Sequence, residues 1–303
     1  MKLIGGLHGA HLRADVLAQI GATALRRAIA NRALVTSWPR VVVEGGRQGE
    51  LWTRSAAAVR AYGPDCALTG PTAAALHGCG AAESGRTHIL LPYREHPRPR
   101  LGLSVHHSTR FVDDVVQLRG LPVLALDRVV ADLLCRARER DALAVCDQAL
   151  ALRPDGDRES WRNRLGERII ERADPRGTRR AQELLAVATG QAGSPAESWL
   201  RLTLIELGFP WPEVNWPLRS PWGETIWILD LAWPHLRVAV EYQGYAVHAE
   251  RGDEDAARFT DLERRGWIVV VAQARDLRDH HDLELRLRDA FARRGHFSPA
   301  RSA

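Results

Sequence analysis

Two short β-rich runs near the C-terminus place acidic residues where a core should be. In Thr225-Ile-Trp-Ile-Leu-Asp-Leu-Ala-Trp233 the alternation of a strand puts Asp230 on the side of Ile226 and Ile228. Trp233-Pro-His-Leu236 then turns the chain into Arg237-Val-Ala-Val-Glu-Tyr-Gln-Gly244, where Val238, Val240 and Tyr242 face one way and Glu241 and Gln243 the other. If the two strands pair about this turn, Asp230 and Glu241 project from neighbouring strands into one space. Two partly buried carboxylates repel each other and are costly to desolvate, so the arrangement asks for a cation. A hard divalent ion, Mg²⁺ or Mn²⁺, takes oxygen ligands, keeps several waters, activates water and neutralises charge on a phosphate under attack. The spacing therefore predicts metal ligation by Asp230 and Glu241 and the chemistry of a phosphodiesterase.

A helix must stand before these strands. Ser194-Pro-Ala-Glu197 is a capping box with proline at the first helical position, opening a helix to about Leu207 with Leu200, Leu204 and Leu207 on one face. Glu197 serves the cap and is also a candidate third acid, while Arg201, one turn on, can pair with it. Seven tryptophans, from Trp199 to Trp267, crowd this part of the chain and read mainly as packing.

Upstream, helical spacing over Leu12–Ile20 and Ala22–Leu34, broken by Gly21, is followed by the β-branched run Arg40-Val-Val-Val43 and Gly45-Gly46. This is the order of a winged helix, with Arg26, Arg27 and Arg32 on its second helix available to phosphates. The middle reads as a helix at Pro71–His77, strands at Thr87–Pro92 and Leu103–His107, and helices through Leu126–Arg138 and Asp141–Leu152. His77, His106 and His107 have no carboxylate or thiol at ligand spacing and read as structural. The fold class expected is α/β (α+β) in three parts: a winged helix over 1–60, an α/β and helical connector over 61–193, and over 194–303 a central mixed sheet flanked by helices.

Composition narrows the function classes. With 303 residues, 45% hydrophobic and 26% charged, the chain is long enough for more than one core. No apolar run approaches the ~20 residues of a membrane span, and charge comes too early for a secretory signal, so a cytoplasmic location is expected. Cys66, Cys79, Cys135 and Cys146 are widely spaced and predict buried, reduced thiols rather than a zinc ribbon or disulfides. The net charge of +5 is uneven: 28 Lys+Arg against 20 Asp+Glu in residues 1–193, 14 against 17 afterwards. The front part thus supplies attraction for nucleic acid and the back part concentrates acids.

Together, Ser-Pro-x-Glu-Ser-x-Leu-Arg at 194–201, Asp230-Leu, Val-Ala-Val-Glu-Tyr-Gln-Gly at 238–244 and Gly266-Trp-x-Val-Val at 266–270 resemble the very-short-patch-repair branch of the PD-(D/E)XK nucleases. The resemblance implies a restriction-endonuclease-like domain, catalytic roles for Asp230, Glu241, Gln243, Glu197 and His248, a metal on Asp230 and Glu241, and DNA contacts from Arg201 and Arg258. It departs at the third signature position: the usual lysine is Gln243, and Lys2 is the only lysine in the chain. Charge on the transition state would then fall to the metal or an arginine. The stretches Leu68-Thr-Gly-Pro-Thr-Ala-Ala-Ala-Leu-His-Gly78, Asp113-Asp-Val-Val116 and Gly120–Asp127 are similar to AbiEi-type antitoxin proteins, which implies an N-terminal winged helix used in DNA binding and regulation. Two functions follow. One is a metal-dependent DNA endonuclease; the other is a catalytically inactive nuclease-fold regulator or antitoxin of a toxin–antitoxin or phage-defence system. The partners implied are DNA and a toxin or repair protein, with no membrane.

Overall fold

The computed structural model describes residues 5–38, 40–95, 100–108, 112–243 and 252–296, the side chains of 252–255 excepted. The chain is of the mixed α/β class, with ten α-helices and three sheets among the described residues. It divides into two compact units, Met1–Ala137 with Glu159–Gln182 and Arg138–Arg158 with Glu183–Ala303. No described helix is long and apolar enough to cross a membrane.

The first unit begins with β1 (Ala10–Leu12), α1 (Arg13–Ala30), β2 (Leu34–Trp38), β3 (Val41–Glu44) and α2 (Leu51–Tyr62). The three strands form an antiparallel sheet in the order β1-β3-β2. Gly21 (φ 76°, ψ 165°) breaks α1 into two segments, a left-handed conformation that costs a glycine little. Val16 from the first segment and Leu25 and Ala28 from the second pack on Leu34 and Val42. The second segment stops at Ala30, short of the expected Leu34: Arg32 takes φ 59° and the Ala33 N–H donates to Asn31 Oδ1, so the chain turns into β2. Arg32 is therefore in the turn, not on the helix. Gly45 is required by close approach, since a Cβ there would sit 2.0 Å from the Arg32 carbonyl oxygen.

The same unit continues with β4 (Ala67–Leu68), α3 (Gly70–Leu76), β5 (Thr87–Leu91), β6 (Leu103–His107), β7 (Val115–Leu118), β8 (Leu121–Leu124) and α4 (Leu126–Arg136). They build a five-stranded mixed sheet in the order β6-β5-β4-β8-β7, with β5–β6 and β4–β8 parallel. α4 is amphipathic: Val129, Val130, Leu133 and Leu134 are buried, while Arg128, Asp132 and Arg136 recur every fourth residue on a second stripe. His77 Nε2 lies 2.8 Å from the Leu124 carbonyl, tying α3 to the end of β8.

Next come α5 (Glu139–Ala151), α6 (Asp155–Ile170), α7 (Thr178–Val187), α8 (Pro195–Glu206), β9 (Glu213–Arg219), β10 (Thr225–Trp233), β11 (Val238–Gln243), α9 (Gly252–Arg264), β12 (Ile268–Gln273) and α10 (His281–Ala292); the division between units falls within α6 and α7. In the second unit the sheet order is β12-β11-β10-β9, with β9, β10 and β11 an antiparallel meander and β12 parallel to β11. On one face Leu200 and Leu204 of α8 and Leu287 and Phe291 of α10 cover Leu231, Val238 and Val240. On the other, Leu262 of α9 and Trp267 cover Leu229 and Ala239. Each fully buried aliphatic or aromatic side chain of this kind contributes roughly 1.5–3 kcal/mol by leaving water. All four cysteines are buried, and none is in a disulfide.

Candidate functional site

The cap that opens α8 fixes the first acid. Ser194 is extended (φ −144°, ψ 158°) and its Oγ accepts the Glu197 N–H at 3.3 Å. Glu197 Oε2 accepts the Gly193 N–H at 2.7 Å, one residue before the cap, with Asn215 Nδ2 at 3.5 Å. Burial raises the Glu197 pKa, and the charge of Asp230 adds to the rise, so these two carboxyl groups feel each other.

The second and third acids come from a strand pair that separates at the site. β10 and β11 are paired at Leu231↔Val240, Ala232↔Ala239 and Trp233↔Val238. One step further, backbone groups turn to side chains: the Asp230 N–H donates to Glu241 Oε1 at 3.4 Å, and the Tyr242 N–H to Asp230 Oδ2 at 2.8 Å. Leu229 and Leu231, two residues apart, pack on opposite faces of the sheet, so the simple alternation expected for β10 breaks at Asp230. β11 keeps its alternation, with Val238 and Val240 on one face and Ala239 on the other.

Glu241 is 3% exposed. Arg258, projecting from α9, donates to Glu241 Oε2 at 2.7 Å and to the Ile228 carbonyl at 2.6 Å, and lies 5.7 Å from the centroid of the Trp227 ring. Burial, with the charge of Asp230 added, pushes the Glu241 carboxyl up to about 8 against the opposing pull of Arg258. Asp230 is raised as well, by burial, with the Tyr242 N–H and Arg258 opposing. The structure thus brings Asp230 and Glu241 together with Arg258, which acts on both, and sets Glu197 within electrostatic reach of Asp230. Gln243 stands half-buried at the end of β11, opposite Gln273 of β12 in the parallel register. His248 lies outside the described residues, as does the side chain of Asp255.

Arg201 is not a DNA ligand in this arrangement. It is 2% exposed and donates to Asp147 Oδ2 at 2.6 Å and to Thr189 Oγ1 at 2.7 Å. Its pairing with Glu197 is likewise absent from the described contacts, because each side chain is satisfied elsewhere. Asp147, on α5 and 1% exposed, also accepts the Ser198 hydroxyl at 2.6 Å and the Thr189 and Gly190 N–H groups at 2.8 and 3.0 Å. Sequence reasoning missed this hub, although an acid inside Ala142-Leu-Ala-Val-Cys-Asp-Gln-Ala-Leu150 is itself a signal, since a buried charge needs a partner. Arg26 and Arg27 are exposed on the second segment of α1, and Arg32 is exposed in the turn after it.

As for cofactors, oxygen donors on Asp230 and Glu241 have the chemistry a hard divalent ion takes, and their mutual repulsion is what such an ion relieves. Among the described residues no group of three His, Cys, Asp or Glu side chains is arranged to hold a metal. A metal on the pair would therefore draw its remaining ligands from water or phosphate, and Arg258 would have to release Glu241.

Residues 66–187 match the AbiEi antitoxin C-terminal domain family. The chain is also 31% identical over 252 residues to uncharacterized protein Rv2248 of Mycobacterium tuberculosis (strain ATCC 25618 / H37Rv) and, to the same extent, to uncharacterized protein MT2308 of M. tuberculosis (strain CDC 1551 / Oshkosh). Those alignments cover 82% of this chain and 89% of each relative. The chain belongs to the family of these mycobacterial proteins, and its residues 66–187 match the AbiEi antitoxin C-terminal domain.

Proposed function

We propose that the protein is a DNA-binding regulator of the antitoxin class, acting with a toxin partner. The observation that carries this reading is the AbiEi antitoxin domain over residues 66–187. The N-terminal elements fit it: a helix broken at Gly21 precedes the hairpin of a β1-β3-β2 sheet, the topology expected of a winged helix, and Arg26 and Arg27 are exposed on its second segment. The excess of basic residues in 1–193 supplies long-range attraction to duplex DNA. In a mobility-shift titration with the DNA upstream of its own gene, replacing Arg26 and Arg27 by alanine is expected to weaken binding. It should also lower the slope of log affinity against log salt by roughly one unit for each phosphate that is no longer neutralised. Equal affinity and equal slope for the variant and the parent would remove this surface from DNA recognition.

A second reading, a metal-dependent DNA endonuclease, is favoured by the convergence of Asp230 and Glu241 on neighbouring strands, with Glu197 within electrostatic reach of Asp230. In it Asp230 and Glu241 hold Mg²⁺ or Mn²⁺, which when bound supplies Lewis acidity and charge neutralisation at a phosphodiester. Gln243 brings no positive charge, so Arg258 is the described cation nearest the acids for the phosphate. Supercoiled plasmid incubated with the protein in Mg²⁺, in Mn²⁺ and in EDTA separates the two readings. Nicking that needs metal and disappears in Asp230→Asn and Glu241→Gln establishes the hydrolase; DNA retardation without nicking in either metal leaves the regulator.

A further inference from the structure

Within the first unit, the open ends of β5 and β6 and the polar stripe of α4 enclose a cavity of about 460 Å³. A histidine pair lines it, His88 half-buried and His106 exposed: His88 Nδ1 lies 3.0 Å from His106 Nε2, with the rings stacked at 18°. Burial, reinforced by His106 and by Arg86 and Arg54, pushes His88 down to about 4. His106 is lowered too, by burial first and Arg136 next. Both rings are neutral near pH 7 and offer hydrogen-bonding edges rather than charge.

Two arginines on the wall are less fully employed. Arg172 has a side chain only 3% exposed; its Nε donates to Asp132 Oδ1 at 3.0 Å and its Nη1 to the Arg176 carbonyl at 3.2 Å, while Nη2 has no partner among the described residues. Leaving a buried guanidinium donor unpaired is costly, and an incoming acceptor removes that cost. Arg136 makes a 3.3 Å contact with Asp174, but Asp174 is already doubly bonded by Arg176 at 2.8 and 2.9 Å, so Arg136, 57% exposed, is available to another anion. At the mouth Tyr93, 58% exposed, stacks on His107 with ring centroids 5.7 Å apart and presents a broad aromatic face.

We propose that this cavity binds a small phosphorylated ligand bearing a planar ring, of the mononucleotide class, with Arg136 and Arg172 toward the phosphate and Tyr93 and His107 against the ring. Its volume lies in the range of small-molecule sites, and an inorganic phosphate would leave most of it empty. The neutral His88–His106 pair can both donate to and accept from the polar edge of such a ring. Ring stacking and charge-assisted bonds to phosphate draw on different residues, so each can be removed separately.

The test is thermal shift followed by calorimetry on the full chain with AMP, GMP, CMP and UMP in turn, beside the corresponding nucleosides and inorganic phosphate. At least one nucleotide is expected to raise the melting temperature and bind, with nucleoside and phosphate each weaker by about tenfold or more. Arg136→Glu and Tyr93→Ala alter exposed side chains, and each is expected to weaken the nucleotide about tenfold without lowering the melting temperature of the free protein. Silence from all four nucleotides at millimolar concentration overturns the proposal. So does nucleotide binding that survives unchanged in both variants, or phosphate binding as tightly as the nucleotide.

Discussion

Asp147→Ala is expected to destabilise the protein by about 3–5 kcal/mol, because it leaves the buried Arg201 guanidinium without its carboxylate. Asp147 is 1% exposed, and besides Arg201 it satisfies the Ser198 hydroxyl and two backbone N–H groups at Thr189 and Gly190. Each of those donors loses its acceptor in the variant. Urea denaturation should show a lower midpoint with little change in slope if only stability is altered. Asp147→Asn keeps an acceptor for the N–H groups but loses the charge, and should fall between. A paired replacement, Asp147→Leu with Arg201→Met, removes both charges and should recover part of the loss, since a buried ion pair contributes less than breaking it costs. An Asp147→Ala midpoint indistinguishable from the parent would show that Arg201 has another way to be solvated.

The other large effect concerns pH. A Glu241 carboxyl raised from 4.5 to about 8 stays protonated in the folded chain after the unfolded chain has released its proton. At this residue the folded protein then binds more protons than the unfolded one between pH 4.5 and about 8, and its contribution to stability falls as pH rises across that window. Asp230 and Glu197, raised by burial as well, push in the same direction. The shift at Glu241 corresponds to at most about 5 kcal/mol when complete, and Arg258 limits it by holding the ionised form. Glu241→Gln should therefore flatten the stability profile above pH 5 and leave the variant more stable than the parent at pH 9. Denaturant midpoints measured from pH 5 to 9 check this. Because the depressed His88 and His106 make stability rise with pH over the lower part of that range, the difference between variant and parent isolates Glu241; a difference that does not change with pH would mean that Arg258 outweighs burial and that Glu241 is ionised throughout.

Much of the site's scaffold could be read from residue types alone. Ser194 and Glu197 announce the start of α8, and the β-branched and aromatic runs announce β10 and β11 within a residue of their ends. The turn read at Trp233–Leu236 implied their antiparallel pairing and so the approach of Asp230 to Glu241. The break at Gly21 and the elements α3, β5 and β6 were equally legible, because local periodicity and backbone stereochemistry decide them. What escaped depends on distant residues. Nothing near Arg201 points to Asp147, 54 positions away, so the nearby Glu197 looked like its partner. Arg258 looked free for phosphate until α9 laid it on Glu241. β2 was hidden by an apolar rhythm that continued past Ala30, where Asn31 and the left-handed Arg32 redirect the chain. His88 drew no attention because its counterpart, His106, lies on a neighbouring strand.

The path of the chain has a consequence for inheritance and for cutting. Residues Arg138–Arg158 belong with the C-terminal unit although Glu159–Gln182 belongs with the N-terminal one. A fragment beginning at Ser194 carries the whole four-stranded sheet yet lacks α5 and the acid that Arg201 requires. Gene fusion or protease trimming at that point would release a sheet with an orphan guanidinium in its flank. Because the units interleave along the sequence, no single cut leaves both whole.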